Sequence, residues 1–359
     1  MRAKDGAGKR IRGWLACGSA AVLLAAVLAG TRGHAAPVHS ARELSSARIP
    51  AGFTAKPTPQ RLARGRYLVA AVAGCFDCHS PHEYVNKQWI ARKGLTGAGQ
   101  IFPPHMVPFP PGSRVVAPNI TPDRATGIGS WTDAEIARAI ADGVDKGGRP
   151  LFSLMPYASY HALTTEDLKS IIVYLRTLPP VHRALPSTHI PFPVRVDLNP
   201  ATALPPPARA PAQVRRGWYL ARMGGCVDCH TPILANGTRP ASMVLAGGLH
   251  FQGPFGDVFS LNITPSSSGI GFMTEGMFVR TMQTGRVNGN GPHLNPIMPF
   301  QNFRHLRPGD LRDLYLYLQT VPKVRHEIDN TDPPTYCPLD GEMHGLGDLN
   351  SAPSKKGPR

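Results

Sequence analysis

Two five-residue stretches carry the chemistry of this chain: CFDCH at residues 75–79 and CVDCH at 226–230. Each places two thiols on one face of a helical turn, with an imidazole directly behind. Two of the three chemistries open to such a cluster are disfavoured. A zinc site built from both cysteine pairs usually spaces them by ~15–20 residues, whereas Cys78 and Cys226 lie in different halves of the chain. A thioredoxin-type dithiol needs a βαβ setting that the sequence does not offer.

The third chemistry is covalent haem. Two thiols can add across the two vinyl groups of a porphyrin, and the following histidine then faces the iron. Cys75, Cys78 and His79 form one candidate site, and Cys226, Cys229 and His230 the other. Methionine opposite histidine fills the iron and raises its potential, which suits electron transfer, whereas an open position suits peroxide or gas chemistry. Of ten methionines, Met155 and Met298 stand in matching MP dipeptides, each well downstream of its own histidine. They are the candidate sixth ligands. Met277 and Met282 read as packing, and Met106, Met223, Met243 and Met273 have no counterpart in the other half. His161, His293 and His305 are rival ligands without matched partners.

The elements that must position these groups occur twice in the same order. RGRYLVAAVAGCFDCHSP (64–81) answers RGWYLARMGGCVDCHTP (216–232), and APNITPDRATGIGSWT (117–132) answers SLNITPSSSGIGFMT (260–274). MPY at 155 answers MPF at 298, and YLRTLPP at 174 answers YLQTVPK at 317, both pairs with one and the same offset. This is a duplicated domain of ordinary size, with boundaries expected at 59–182 and 213–325. The connector at 183–212 is Pro-rich and should be stiff and extended, and 326–359 is a polar tail.

Each copy reads as mainly α, with weak strand signals. A helix is expected from Gln60 to Ala73, ending at Gly74. Thr132 and Glu135 form a capping box ahead of Ile136, Ala139 and Ile140. Thr164 caps a closing helix lined by Leu168, Ile171, Ile172, Leu175 and Leu178 and stopped by Pro179. Leu311, Leu314, Leu318 and Val321 repeat that stripe. Gly65 and Gly217 should let the first helix cross close to the closing helix. Asn119 and Asn262, with Arg114, have two open readings: donors to haem propionates, or turn formers.

Residues 1–35 read as a secretory signal: a basic start, an apolar run from Trp14 to Gly30 and a small-residue cleavage site after Ala35. The run is short for the ~20 residues of a membrane anchor. The formal charge is +16, from 39 basic and 23 acidic residues. Setting aside the leader's six basic and one acidic residues leaves +11, suited to an acidic partner or anionic lipid. An exported protein with no clustered basic helix is not a nucleic-acid binder. Cys17 leaves with the leader, and Cys337 reads as a free or intermolecular thiol, or one lost to processing.

The quoted stretches, with TGIGSWTDAEIARAIADGVDKGGRPLFSLMPY and TTEDLKSIIVYLRTL, resemble the cytochrome c subunits of bacterial periplasmic and membrane-bound alcohol, gluconate and aldehyde dehydrogenases over about residues 59–325. The resemblance implies two tandem class I cytochrome c domains with two covalently attached haem c groups and no catalytic residue. The electron donor would be a periplasmic dehydrogenase subunit, and the acceptor a quinone, a terminal oxidase or another cytochrome. The location would be the periplasm or the outer face of the inner membrane, with any membrane association made other than through a C-terminal anchor. Many of those subunits carry three haem domains, where this chain has two CxxCH motifs. The alternative is a diheme enzyme of peroxidase or thiosulfate-oxidising type.

Overall fold

The computed structural model describes residues 49–344, apart from 51, 86–87, 103–110, 201, 203, 235–236, 254–255, 292, 331–334 and 337–342. The leader with Cys17, as well as Met106, Cys337 and most of the polar tail, lies outside the described residues. Helices dominate. In chain order they are α1 (Pro59–Tyr67), α2 (Cys75–His79), α3 (Asp133–Ala141), α4 (Tyr157–Tyr160), α5 (Thr165–Leu175), α6 (Ala212–Met223), α7 (Cys226–His230), α8 (Glu275–Thr284), α9 (Phe300–Phe303) and α10 (Pro308–Leu318). No helix among the described residues is long and apolar enough to cross a membrane.

Among the described residues the strands are few and pair only locally. Four two-stranded antiparallel ribbons join β1 (His82–Val85) to β2 (Gln88–Ala91), β3 (Gln100–Ile101) to β4 (Val116–Ala117), β5 (His250–Gly253) to β6 (Gly256–Phe259) and β7 (Thr335–Tyr336) to β8 (Met343–His344). Between α5 and α6 the described residues form no helix, and the segment is tied back by a ladder bridge between Arg114 and His189 and by Val116 N donating to Thr188 Oγ1 at 3.0 Å.

Local signals set the helix starts. Thr132 Oγ1 accepts from Glu135 N while Glu135 Oε2 accepts from Thr132 N, so both halves of the capping box form. Thr164 caps α5 by accepting from Asp167 N. α1 begins with Pro59 at its first position and the Thr58 side chain accepting from Arg61 N. It does not run to Ala73 as one α-helix. Leu68–Val72 widen into a π turn, marked by Ala73 N donating to Leu68 O at 2.8 Å, which buries Leu68, Val69 and Val72.

Packing follows the two apolar stripes. Leu168, Ile171, Ile172 and Leu175 on α5, and Leu311, Leu314 and Leu318 on α10, are buried in one cluster with Trp218, Phe278 and Met282. Each such side chain contributes about 1.5–3 kcal/mol through burial. α1 lies on α5 and α6 on α10, and both crossings are backbone-close. A Cβ at Gly65 would sit 1.9 Å from Ser170 O, and one at Gly217 would sit 1.9 Å from Asp313 O. A methyl group there must push two helix backbones apart. Gly217→Ala is therefore expected to cost about 3 kcal/mol. A denaturant midpoint unchanged from wild type would show that the crossing is looser than described.

Candidate functional site

The CxxCH helices α2 and α7 are one turn long and start after glycines in the left-handed region, Gly74 at φ 56° and Gly225 at φ 64°. That conformation costs other residues about 1–2 kcal/mol. A Cβ at Gly74 would also stand 2.7 Å from the Asp77 carboxylate and 2.9 Å from Asn302 Nδ2, so those two side chains would have to move.

Each histidine ring is held by one backbone carbonyl. His79 Nδ1 lies 2.7 Å from Pro118 O, and His230 Nδ1 lies 2.7 Å from Leu261 O. A carbonyl only accepts, so Nδ1 carries the proton and Nε2 keeps a free lone pair. Desolvation lowers the pKa of both rings, favouring the neutral form that a metal requires. Carbonyl-bound Nδ1 with free Nε2 is the arrangement that orients a metal-ligating histidine.

The four thiols, Cys75, Cys78, Cys226 and Cys229, are free. Burial pushes each up to about 12. They are protonated at neutral pH, unlike the low-pKa thiolates of redox dithiols. Among the described residues no group of three or more His, Cys, Asp and Glu side chains is placed to hold a metal ion. The thiols therefore do not converge on a zinc site.

Beside them opens a cavity of about 1610 Å³. Cys75, Cys78, His79 and Met155 share its wall, as do Cys229 from α7 and Ile297 and Pro299, which flank Met298. Cys226 and Met298 instead pack against the main core, and neither they nor His230 line this cavity. The two methionines occupy the same local structure. Met155 N donates to Phe152 O (3.1 Å) and Tyr157 N to Met155 O (2.8 Å); Met298 N donates to Asn295 O (3.0 Å) and Phe300 N to Met298 O (2.7 Å). Each turn then enters a one-turn helix, α4 or α9.

No protein-family profile matches the chain. Among curated proteins it is 29% identical over 288 residues to the fructose dehydrogenase cytochrome subunit of Gluconobacter japonicus, covering 74% of this chain and 55% of that one. It is 33% identical over 181 residues to the gluconate 2-dehydrogenase cytochrome c subunit of Pantoea cypripedii, covering 47% and 37%. It is 28% identical over 274 residues to a diheme cytochrome c-type protein of Cereibacter sphaeroides, covering 73% and 86%. The chain resembles the cytochrome c subunits of bacterial dehydrogenases. It spans from about a fifth to about half the length of the dehydrogenase subunits it matches.

The cytochrome resemblance gives the arrangement a definite chemical capacity. Protonated thiols one turn apart can form two thioethers, the free Nε2 can ligate iron, and a methionine thioether stands on the same cavity wall. The residues present fit a haem at the first site on these grounds. Asn119 and Asn262 act as turn formers. Asn119 Oδ1 accepts from Thr121 N (2.9 Å), and its Nδ2 donates to Thr126 Oγ1 (3.1 Å) and Val181 O (2.7 Å). Asn262 repeats this with Thr264 N (2.9 Å) and Val324 O (2.8 Å). Arg114 donates to Ser187 O at 3.2 Å and does not line the cavity.

Of the rival ligands, His293 lines the cavity and pairs its backbone with Arg286, and His305 sits in the turn after α9. Met223, Met273 and Met282 are buried, and Met277 packs against the same core.

The sequence reading passed over a set of carboxylates. Asp167 accepts from Arg64 Nε (2.8 Å) and Nη2 (2.7 Å) and from Tyr219 Oη (2.7 Å). Asp310 accepts from Tyr67 Oη at 2.6 Å. Asp77 and Asp228 stand inside the two CxxCH helices. Their recurrence at matching positions was the available signal.

His161 Nδ1 lies 2.9 Å from Ala141 O and 3.4 Å from Asp142 Oδ1. The Asp142 hydrogen bond, outweighing desolvation, raises its pKa above 6.5. The stabilisation from this pair is present in full below pH 6.5 and is lost as pH rises through the folded-state pKa. An NMR titration should place His161 above 6.5 in the wild type and lower in Asp142→Asn. Equal values in both would remove the pairing.

Proposed function

We propose that this chain is a diheme c-type cytochrome built of two tandem class I cytochrome c domains. It would carry electrons from a periplasmic dehydrogenase subunit toward a quinone, a terminal oxidase or another cytochrome, and it would act in the periplasm. Cys75 and Cys78 would hold the first haem through thioethers, and His79 and Met155 would ligate its iron. Cys226, Cys229, His230 and Met298 would hold the second. The observation that carries this reading is the repeated histidine lock. Both CxxCH histidines are bound at Nδ1 by carbonyls at corresponding positions of the two copies, and burial lowers both their pKa values toward the neutral ring, leaving Nε2 for iron.

When bound, the haem supplies the one-electron couple of its iron. The chain does the rest. The carbonyls of Pro118 and Leu261 keep the imidazoles in one tautomer and orientation. The apolar side chains of α5, α6, α10 and the π turn at Leu68–Val72 keep water out of the core, which bears on the potential. The turns at Met155 and Met298 would supply thioethers, soft ligands that favour the reduced form of a bound iron. Cys75, Cys78 and Cys229 border one cavity, which supports a short path between the two sites.

Intact-mass measurement of the protein from an exporting, haem-ligating host should exceed the mature chain by two haems. The ferric protein should show the near-red methionine–iron charge-transfer band for both. Met155→His or Met298→His should lower one potential and abolish one band. Fewer than two attached haems, or rapid carbon monoxide binding by both reduced centres of the wild type, would defeat the proposal.

A further inference from the structure

Several contacts between the two halves of the repeat come as reciprocal pairs. Tyr67 Oη donates to Asp310 at 2.6 Å and accepts from Arg307 N at 3.2 Å. Tyr219 Oη donates to Asp167 at 2.7 Å and accepts from Thr164 N at 3.4 Å. Arg307 and Asp310 are the counterparts, one repeat on, of Thr164 and Asp167. A contact of i with j′ mirrored by i′ with j is the signature of an isologous interface, here folded into a single chain.

The same relation reaches the attachment helices. Asn302 Nδ2 donates to the Asp77 carboxylate, and its counterpart Ser159 lines the same cavity as Asp228, on whose carboxylate it acts. Ser159 and Asn302 are again counterparts at the same offset, and each stands at the same place after its methionine, on α4 and α9. Asp77 and Asp228 each lie between the two cysteines of a CxxCH motif. An attachment helix of one turn has little internal support, so its ties decide its orientation. For α2 the ties from its own half are Gln100 Nε2 to Asp77 O (2.8 Å), Gly99 N to His79 O (2.8 Å) and the His79 ring on Pro118 O. The side-chain tie on Asp77 comes from the other half.

Resting on the two-haem reading, we infer that Asn302 and Ser159 are positioning residues for the opposite centre. Asn302, on the turn that follows Met298, orients the attachment helix of the first haem, and Ser159, on the turn that follows Met155, orients that of the second. Each methionine turn is joined in this way to the other centre's attachment helix, and the two potentials are interdependent.

The test is a redox titration of the full-length, two-haem protein, with the two waves assigned through Met155→His and Met298→His. Asn302→Leu should shift the wave of the Cys75–Cys78 centre more than that of the Cys226–Cys229 centre. Ser159→Ala should do the reverse. Asn302→Ser and Ser159→Asn, which borrow the residue used by the other half, should restore wild-type waves. Tyr67→Phe loosens the same interface away from both attachment helices and should shift neither wave comparably.

A response confined to the mutated residue's own half, or an equal shift from Tyr67→Phe, would overturn the inference. If Asn302→Leu fails to accumulate with both haems, Ser159→Ala decides by the same criterion. A wild-type protein with fewer than two haems refutes the functional reading and takes this coupling with it, whereas two normal haems with own-half responses refute the coupling alone.

Discussion

A buried asparagine on each side fixes the orientation of the two histidine rings. Asn119 and Asn262 immediately follow the residues whose carbonyls hold His79 and His230. Both amides are enclosed, and both tie their loop to the segment leaving a closing helix, at Val181 O and Val324 O. A carbonyl that must meet an imidazole at 2.7 Å tolerates little drift. The loop is therefore anchored at the far end of α5 or α10, and the ring inherits the rigidity of a packed helix.

Those helices can serve as anchors because glycine removes the side chain where they cross α1 and α6. The close approach at Gly65 and Gly217 brings the segments that lead to each CxxCH motif against the elements that hold the histidine carbonyls. Burial then acts on three kinds of group. It raises the thiols, keeps the imidazoles neutral, and requires partners for the carboxylates Asp167 and Asp310. Arginine from the same half and tyrosine from the other half meet that last demand, and the tyrosines thereby connect the two halves.

What was legible in the sequence was local. The Thr132–Glu135 box, the Thr164 cap, the leucine stripes of α5 and α10 and the two close-crossing glycines depend on neighbours a few residues away or on a repeat that displays them twice. The cysteines, histidines and methionines could be singled out as candidates for the same reason of duplication. The π turn at Leu68–Val72 escaped because its composition is that of an ordinary apolar helix. The Tyr67–Asp310 contact escaped because its partners are 243 residues apart and polar residues at such positions read as solvated surface. The double reading of Asn119 resolved only when its amide was seen to be consumed by Thr121, Thr126 and Val181, leaving the loop's own geometry as its task.

The reciprocal contacts have a consequence for how such a molecule can change over time. In a symmetric dimer of identical chains every substitution strikes both ends of the interface at once, so the two ends stay alike. With both ends encoded separately, each is free to drift: Thr164 faces Tyr219 where Arg307 faces Tyr67, and Ser159 stands where the other half has Asn302. Joining two like halves in one chain thus turns one symmetric surface into two independently tunable ones, and lets the halves acquire different characters without parting company.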